Sequence, residues 1–145
     1  MSVLKWLLII VGVLFIAFLA IVVGGYYWAS NVETVKITAQ DIEVGGAYPE
    51  EERQALVASC KRNIETPAGE QDACACIADK AGTDLSRFER LALTAGFEGS
   101  ATKIVGLTKG LIGSGLPQAE IDAMEANSKT RIDTVLKACG IEQKS

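Results

Sequence analysis

Four cysteines are the residues of this sequence whose type and spacing could do chemistry. Cys74 and Cys76 are separated by one residue, whereas Cys60 precedes them and Cys139 lies near the end of the chain. Residues i and i+2 of a helix point about 200° apart, so Cys74 and Cys76 face different neighbours. We therefore expect one of them to form a disulfide with Cys60 and the other to form one with Cys139.

Two disulfide pairings satisfy this geometry, Cys60 with Cys74 and Cys76 with Cys139, or the crossed arrangement, and sequence cannot decide between them. The first two helices predicted for the domain, at about 49–64 and 67–82, form an antiparallel hairpin. We prefer the first pairing, because Cys74 lies nearer than Cys76 to the turn of this hairpin. In the chain-entropy account the 15-residue loop from 60 to 74 contributes about 3 kcal/mol and the 64-residue loop from 76 to 139 about 4 kcal/mol. Structural disulfides are our main interpretation of all four residues.

Metal binding and redox chemistry are the alternative uses of these cysteines. A four-cysteine zinc site needs two close pairs, whereas Cys60 and Cys139 stand alone. Copper(I) could bind Cys74 and Cys76, but only Met124 adds another soft ligand outside the apolar N-terminus. No thioredoxin-like pattern surrounds the pair, and the absence of histidine excludes covalent haem in its usual form. We assign no cofactor, and keep thiol redox or copper handling as the alternative function.

Ser100 and Lys103 fit the SxxK motif, in which a lysine one helical turn after a serine activates it for acyl transfer. The companion motifs SDN and KTG are missing, so a chance match is the better interpretation. The acidic residues are scattered, with no pair at the spacing of a glycosidase dyad, and we interpret them as solvated helix faces. We therefore predict that the protein is not an enzyme.

The N-terminal region differs from the rest of the chain because residues 6–32 carry no charge. Residues 7–28 are apolar or glycine, and a helix of this length covers about 33 Å, enough for the hydrocarbon core of a bilayer. A cleaved signal peptide and a buried soluble helix are the alternatives. The bulky rings at 26–28 crowd the expected cleavage site, and a protein this small has nothing large enough to cover such a helix on all sides. We predict an uncleaved signal-anchor helix over residues 1–30 whose partner is the lipid bilayer.

The location of the following domain is predicted from charge and cysteine content. Lys5 before the apolar helix slightly favours an inside amino terminus, against Lys36 alone shortly after the helix. Paired cysteines persist in oxidising compartments such as the periplasm. The expectation is a single-pass protein of the bacterial cytoplasmic membrane with its C-terminal domain in the periplasm or outside the cell.

Residues 31–145 hold 13 basic and 18 acidic side chains, a net charge of −5. The basic residues are scattered, whereas binding to phosphates requires a concentrated basic face. We therefore exclude nucleic acid as a partner.

The remaining pattern predicts an all-α fold of about four to five helices. Residues 31–48 are interpreted as an extended spacer with room for a short strand, residues 49–140 as the helical domain, and residues 141–145 as a tail. Proline starts and apolar spacing place helices at about 49–64, 67–82 (with Thr66 as N-cap), 84–96, 100–112 and 117–138. We expect the glycines at 106, 110 and 113 to permit close approach of another helix.

The cysteine pattern resembles that of a loose set of small, exported, helical proteobacterial proteins, over roughly residues 50–140. The resemblance implies export and paired cysteines, and it implies no activity. Our functional hypothesis is a membrane-anchored protein-interaction module or accessory subunit of an envelope complex.

Overall fold

The computed structural model describes residues 3–64 and 72–141, with side chains from residue 14 onward. The all-α prediction is confirmed, since these ranges contain six α-helices, one short 3₁₀ helix and no strand. The α-helices are α1 (Val3–Asn31), α2 (Glu50–Asn63), α3 (Ala73–Asp84), α4 (Arg87–Glu98), α5 (Ala101–Ile112) and α6 (Gln118–Ala138), and the 3₁₀ helix is Ala39–Ile42. The chain divides into two compact units, Met1–Glu33 and Thr34–Ser145.

The first unit is essentially helix α1. Its 29 residues correspond to a length of about 44 Å. The window Leu14–Asn31 is long and apolar enough to cross a membrane, a test that a signal sequence near an N-terminus also passes. Large apolar side chains such as Phe18 and Ile21 are exposed along the described part of the helix. In water such a surface is unfavourable, whereas a hydrocarbon environment accommodates it.

Helices α2 and α6 of the second unit begin close to the expected positions, whereas α3 begins later than predicted. Pro49 and Pro117 act as the N-cap residues of α2 and α6. The helix that carries Cys74 and Cys76 begins at Ala73, because the Asp72 carboxylate accepts hydrogen bonds from the N–H groups of residues 74 and 75. The predicted start at Pro67 is therefore wrong for this helix, and positions 66 and 67 lie outside the described residues. The same helix continues past Gly82 to Asp84.

Helix α4 begins three residues later than the sequence predicts, and it ends two residues later. Ser86 and Glu89 form a capping box, in which the serine hydroxyl accepts from the Glu89 N–H and the Glu89 carboxylate accepts from the Ser86 N–H. At the other end Gly99 has a φ of 63°, the left-handed conformation typical of a helix C-terminus. The helix therefore continues through Gly96.

Two clusters of buried side chains form the interior of the second unit. The first lies where α2, α3, α4 and α6 meet and contains the buried cysteines Cys60 and Cys74. Its other fully buried members are Leu56, Ile77, Ala78, Ala81 and Leu85. The second cluster joins Ile37 to residues of α4, α5 and α6, among them Leu107 and Met124. Leucine and isoleucine are the most frequent members of the two clusters, so aliphatic side chains supply most of the buried apolar area.

The segment expected to be a spacer, residues 31–48, contributes to this interior from residue 34 onward. Ile37 is buried in the second cluster, and the 3₁₀ helix follows directly. Val44 forms an isolated antiparallel bridge with Ser86 in place of a strand. Residues 34–48 of this segment are thus part of the helical unit rather than a free linker.

Gly110 of α5 permits close approach of this segment, whereas the sequence predicts close approach of another helix. The Val35 N–H donates to the Gly106 carbonyl at 3.3 Å. A Cβ placed on Gly110 would lie 1.8 Å from the Val35 carbonyl oxygen and 3.1 Å from an Ile37 methylene carbon. Only glycine therefore fits at position 110 while the backbone of residue 35 keeps its place.

Replacing Gly110 by alanine is expected to destabilise the protein. In an exposed helix the change gains up to about 1 kcal/mol, but here the overlap with Val35 costs about 1 to 3 kcal/mol or more. Gly96→Ala is the matched control, because nothing lies within 4 Å of an added Cβ there. We expect urea unfolding followed by circular dichroism to show a loss for Gly110→Ala and a small gain for Gly96→Ala. Equal effects of the two substitutions would contradict this account.

Candidate functional site

The four cysteines lie in two disulfides that share helix α3. Cys60 of α2 bonds Cys74 with an S–S distance of 2.06 Å, and Cys76 bonds Cys139, the C-cap of α6, at 2.03 Å. The Cα atoms of each pair are 5.7 Å apart, within the normal range. This arrangement is the one that the hairpin argument prefers. Helix α3 therefore holds α2 on one side and the end of α6 on another.

The two disulfides differ in exposure. Cys60 and Cys74 are fully buried within the first core cluster. Cys76 and Cys139 are only partly buried, since Cys139 packs at the edge of the same cluster. A thiolate must reach a sulfur atom to exchange with a disulfide. Solvent-borne reagents thus have better access to the second bond.

Thiol chemistry at the CxC pair would require different surroundings from those observed. The four cysteine sulfurs are bonded in two pairs, so none is present as a thiolate. Met124, the other soft ligand considered, lies in the second core cluster and not with the cysteines. Within the described residues no group of three or more histidine, cysteine, aspartate or glutamate side chains is arranged to hold a metal ion.

Ser100 and Lys103 occupy the N-terminus of α5. The Ser100 hydroxyl accepts a hydrogen bond from the Lys103 backbone N–H at 3.3 Å, as an N-cap does. The Lys103 ammonium forms an ion pair with the Glu98 carboxylate. The serine is thus used in capping, and the amine is held as the cation of an exposed pair.

A cleft of about 360 Å³ lies between α2, α4, α5 and the segment before the 3₁₀ helix. Its volume is at the lower end of the range for binding pockets, and it is partly open to solvent. The walls are almost entirely apolar, formed by Val35, Ala55, Leu91, Thr94, Ala95 and Leu107. Four charged residues complete the lining, Glu51, Glu52, Arg87 and Lys103. We call this site the α2–α5 cleft.

Arg87 joins three separate parts of the chain beside this cleft. Its guanidinium donates to Asp41 at 2.9 Å and to Glu52 at 2.8 Å. Burial alone raises the pKa of the Asp41 carboxyl, but hydrogen bonds from Arg87 and from the N–H and hydroxyl of Thr38 outweigh it and hold that pKa below its ordinary value. The same two carboxylates, as hydrogen-bond acceptors, raise the pKa of Arg87. The ion cluster thus fixes the segment, α2 and α4 relative to each other.

The charged groups of the cleft differ in whether they form ion pairs and hydrogen bonds. Arg87 is engaged by its two carboxylates, and Lys103 by Glu98. Glu51 is exposed and forms no ion pair within the described part of the chain. Glu52 accepts from Arg87 through Oε1, whereas its buried Oε2 accepts no hydrogen bond from any described residue. The unused capacity at this end of the cleft is therefore that of hydrogen-bond acceptors.

A second buried charged group supports α4 from the other side. Glu89, which is fully buried, accepts from Arg131 of α6 at 2.6 Å. The guanidinium of Arg90 is buried too, donates to the Ala47 carbonyl at 2.7 Å and lies over the Tyr48 ring, 4.4 Å from its centre. Removing one partner of such a pair leaves a buried group unsatisfied, which costs several kcal/mol. These contacts fix α4, and with it one wall of the cleft.

The sequence pattern missed the cleft and its charges. Interpreting the acidic residues as solvated faces is wrong for Asp41, Glu52 and Glu89, which lie in buried or half-buried ion pairs. One signal was available: Arg87, Leu91 and Ala95 recur every four residues, which places them on one face of α4. Nothing in the sequence indicates that this face meets Val35.

Comparisons with known proteins find no matching family model, no similar curated protein and no similar solved structure.

The two disulfides are expected to be reduced in order. Because Cys76 and Cys139 are partly exposed, increasing concentrations of dithiothreitol should open their bond before the buried one. Alkylation of the released thiols followed by peptide mass spectrometry measures this order. Simultaneous release of all four thiols, or release of Cys60 and Cys74 first, would show that exposure does not govern reduction here.

Acid is expected to weaken the Arg87 cluster. A carboxyl whose pKa is lowered by folding stabilises the protein at any pH above its ordinary pKa of 3.8. This stabilisation is lost as the pH falls through the lower pKa of the folded state. Asp41→Asn should cost about 1.5 to 3 kcal/mol at neutral pH and show a smaller further loss below pH 4 than the wild type. Urea unfolding at several pH values measures both effects.

Asp133→Asn is the matched control for this prediction, since Asp133 forms no ion pair among the described residues. It is expected to change stability little at any pH. If Asp41→Asn followed the same pH profile as the wild type, the carboxylate would not contribute to folding in the way described.

Proposed function

We propose that the protein is a membrane-anchored interaction module, with α1 in the bacterial cytoplasmic membrane and the disulfide-bonded helical unit in the periplasm or outside the cell. The observation that carries the proposal is that two disulfides stabilise a small helical unit that follows an uncharged apolar helix. Disulfides persist in oxidising compartments, and an apolar helix of this length suits a bilayer. The N-terminal segment acts as an uncleaved signal anchor.

The surface of the helical unit supports binding as its activity. Helix α5 exposes Ile104 and Ile112, eight residues apart and therefore on the same face, with 46% and 73% of their surface accessible. The α2–α5 cleft adds an apolar concave surface on the same unit. Apolar side chains presented in this way are used in contacts between proteins. The partner is another envelope protein, and the protein serves as an accessory subunit without catalysis of its own.

Location and anchoring are tested with the full chain in a Gram-negative bacterium. A C-terminal alkaline phosphatase fusion is expected to be active and a green fluorescent protein fusion dark, because each reporter folds on one side of the membrane only. The protein should resist extraction by carbonate and keep its N-terminal residues by mass spectrometry. A fluorescent, phosphatase-inactive pair of fusions would place the helical unit in the cytoplasm, and loss of the first thirty residues would make α1 a cleaved signal.

Partner binding is tested by photo-crosslinking in the same cells. A photoreactive amino acid at position 104 or 112 is expected to give a discrete adduct, and one at Glu125 on the exposed side of α6 serves as the position control. Adducts absent from all positions on the helical unit would argue against an interaction module.

A further inference from the structure

We infer that the α2–α5 cleft is the docking site for an extended segment of a partner protein that places an aliphatic side chain two residues away from a lysine or arginine, so that both side chains face the cleft. This inference rests on the proposed function, because it names the chemistry that an interaction module of this kind recognises. Three features of the cleft lead to it: the size and openness of the cavity, the apolar walls, and the charge that is left unpaired at its mouth.

The cavity suits a side chain of a larger partner better than an isolated small molecule. Sites for small molecules bury most of the ligand surface. The α2–α5 cleft holds about 360 Å³ and is partly open to solvent, so it encloses one or two side chains while the chain that bears them stays outside. An extended segment presents alternate side chains to one surface in this manner.

The walls select an aliphatic side chain. Leu91, Ala95 and Leu107 supply hydrocarbon from α4 and α5, and Val35 and Ala55 close the sides. A leucine, isoleucine or valine side chain that moves from water into such surroundings buries apolar surface, which favours binding. Among the described residues the lining contains aliphatic and polar side chains and no aromatic ring.

The mouth selects a cation. Both basic residues of the lining already contact carboxylates, whereas the exposed Glu51 forms no ion pair among the described residues. The chain beyond residue 30 carries a net charge of −5, which adds a general attraction for a basic partner. An acidic partner segment would instead be repelled by Glu51 and by the negative charge of the whole unit.

The test uses the full chain in lipid nanodiscs with ¹³C-labelled alanine, leucine and valine methyl groups. Three acetylated and amidated pentapeptides are added in turn, each with glycine at the first, third and fifth positions. Their second and fourth residues are leucine and lysine, leucine and glutamate, or serine and lysine. The leucine–lysine peptide is expected to shift the methyl signals of Val35, Leu91 and Leu107. The other two peptides should bind more weakly. For the glutamate peptide we expect a loss of about two- to fivefold, since an exposed ion pair is worth up to about 1 kcal/mol.

Variants of exposed residues make the assignment specific. Glu51→Gln is expected to weaken binding of the leucine–lysine peptide about two- to fivefold and to abolish its advantage over the glutamate peptide. Glu125→Gln, the same change on an exposed position of α6, should leave binding unchanged. Ala55→Phe fills the cleft from an exposed position and should remove the methyl shifts, whereas Ala126→Phe on exposed α6 should not.

Several outcomes would overturn the inference. Equal binding of the lysine and glutamate peptides would remove the cation from the recognition, and an absence of shifts in the cleft methyl groups with all three peptides would remove the site. Nuclear Overhauser effects between lipid chains and the methyl groups of Val35 or Leu107 would make a lipid the occupant. If Glu51→Gln and Ala55→Phe kept the photo-crosslinked partner in cells, the interaction function would stand and this docking site would fall.

Discussion

The spacing of Cys74 and Cys76 is the constraint on which the first half of the helical unit depends. On a helix these two sulfurs point in different directions, so one binds α2 and the other the end of α6. Around them the core consists mainly of leucine, isoleucine, valine and alanine side chains, with Tyr48 and Phe97 partly buried at its edge. A unit of this size buries a limited total apolar area, and covalent links that restrict the unfolded chain add to its stability.

The second half of the unit is stabilised by different means. Neither disulfide reaches α4, α5 or residues 34–48. There the contacts are the close approach of the Val35 backbone to Gly110 and the ion cluster of Arg87. Buried charges rarely stabilise a fold more than apolar groups of the same shape would, but they restrict it to one arrangement because each must meet its partner. The shape of the α2–α5 cleft follows from that restriction.

Local sequence signals were sufficient to predict helices α5 and α6, but not the start of α4 or the cleft. Helices α5 and α6 follow apolar spacing of three and four residues and end at glycines, so local signals sufficed. The start of α4 was misplaced because the box of Ser86 and Glu89 lies beside another good cap, Asp84. The cleft depends on Val35 docking against α5, a contact between residues 71 positions or more apart in the chain, and no periodic pattern records such a contact.

These two halves meet in α2, which carries Cys60 near its end and Glu52 in its first turn. Opening the partly exposed bond of Cys76 would remove the covalent link to α6 but leave α2 tied to α3 through Cys60 and Cys74. Helix α6 would still contact the elements that form the cleft, through Met124 in the second cluster and through the ion pair of Arg131 with Glu89. Any coupling between the cleft and the outer disulfide would therefore pass through these side-chain contacts of α6, and not through the backbone of the wall itself.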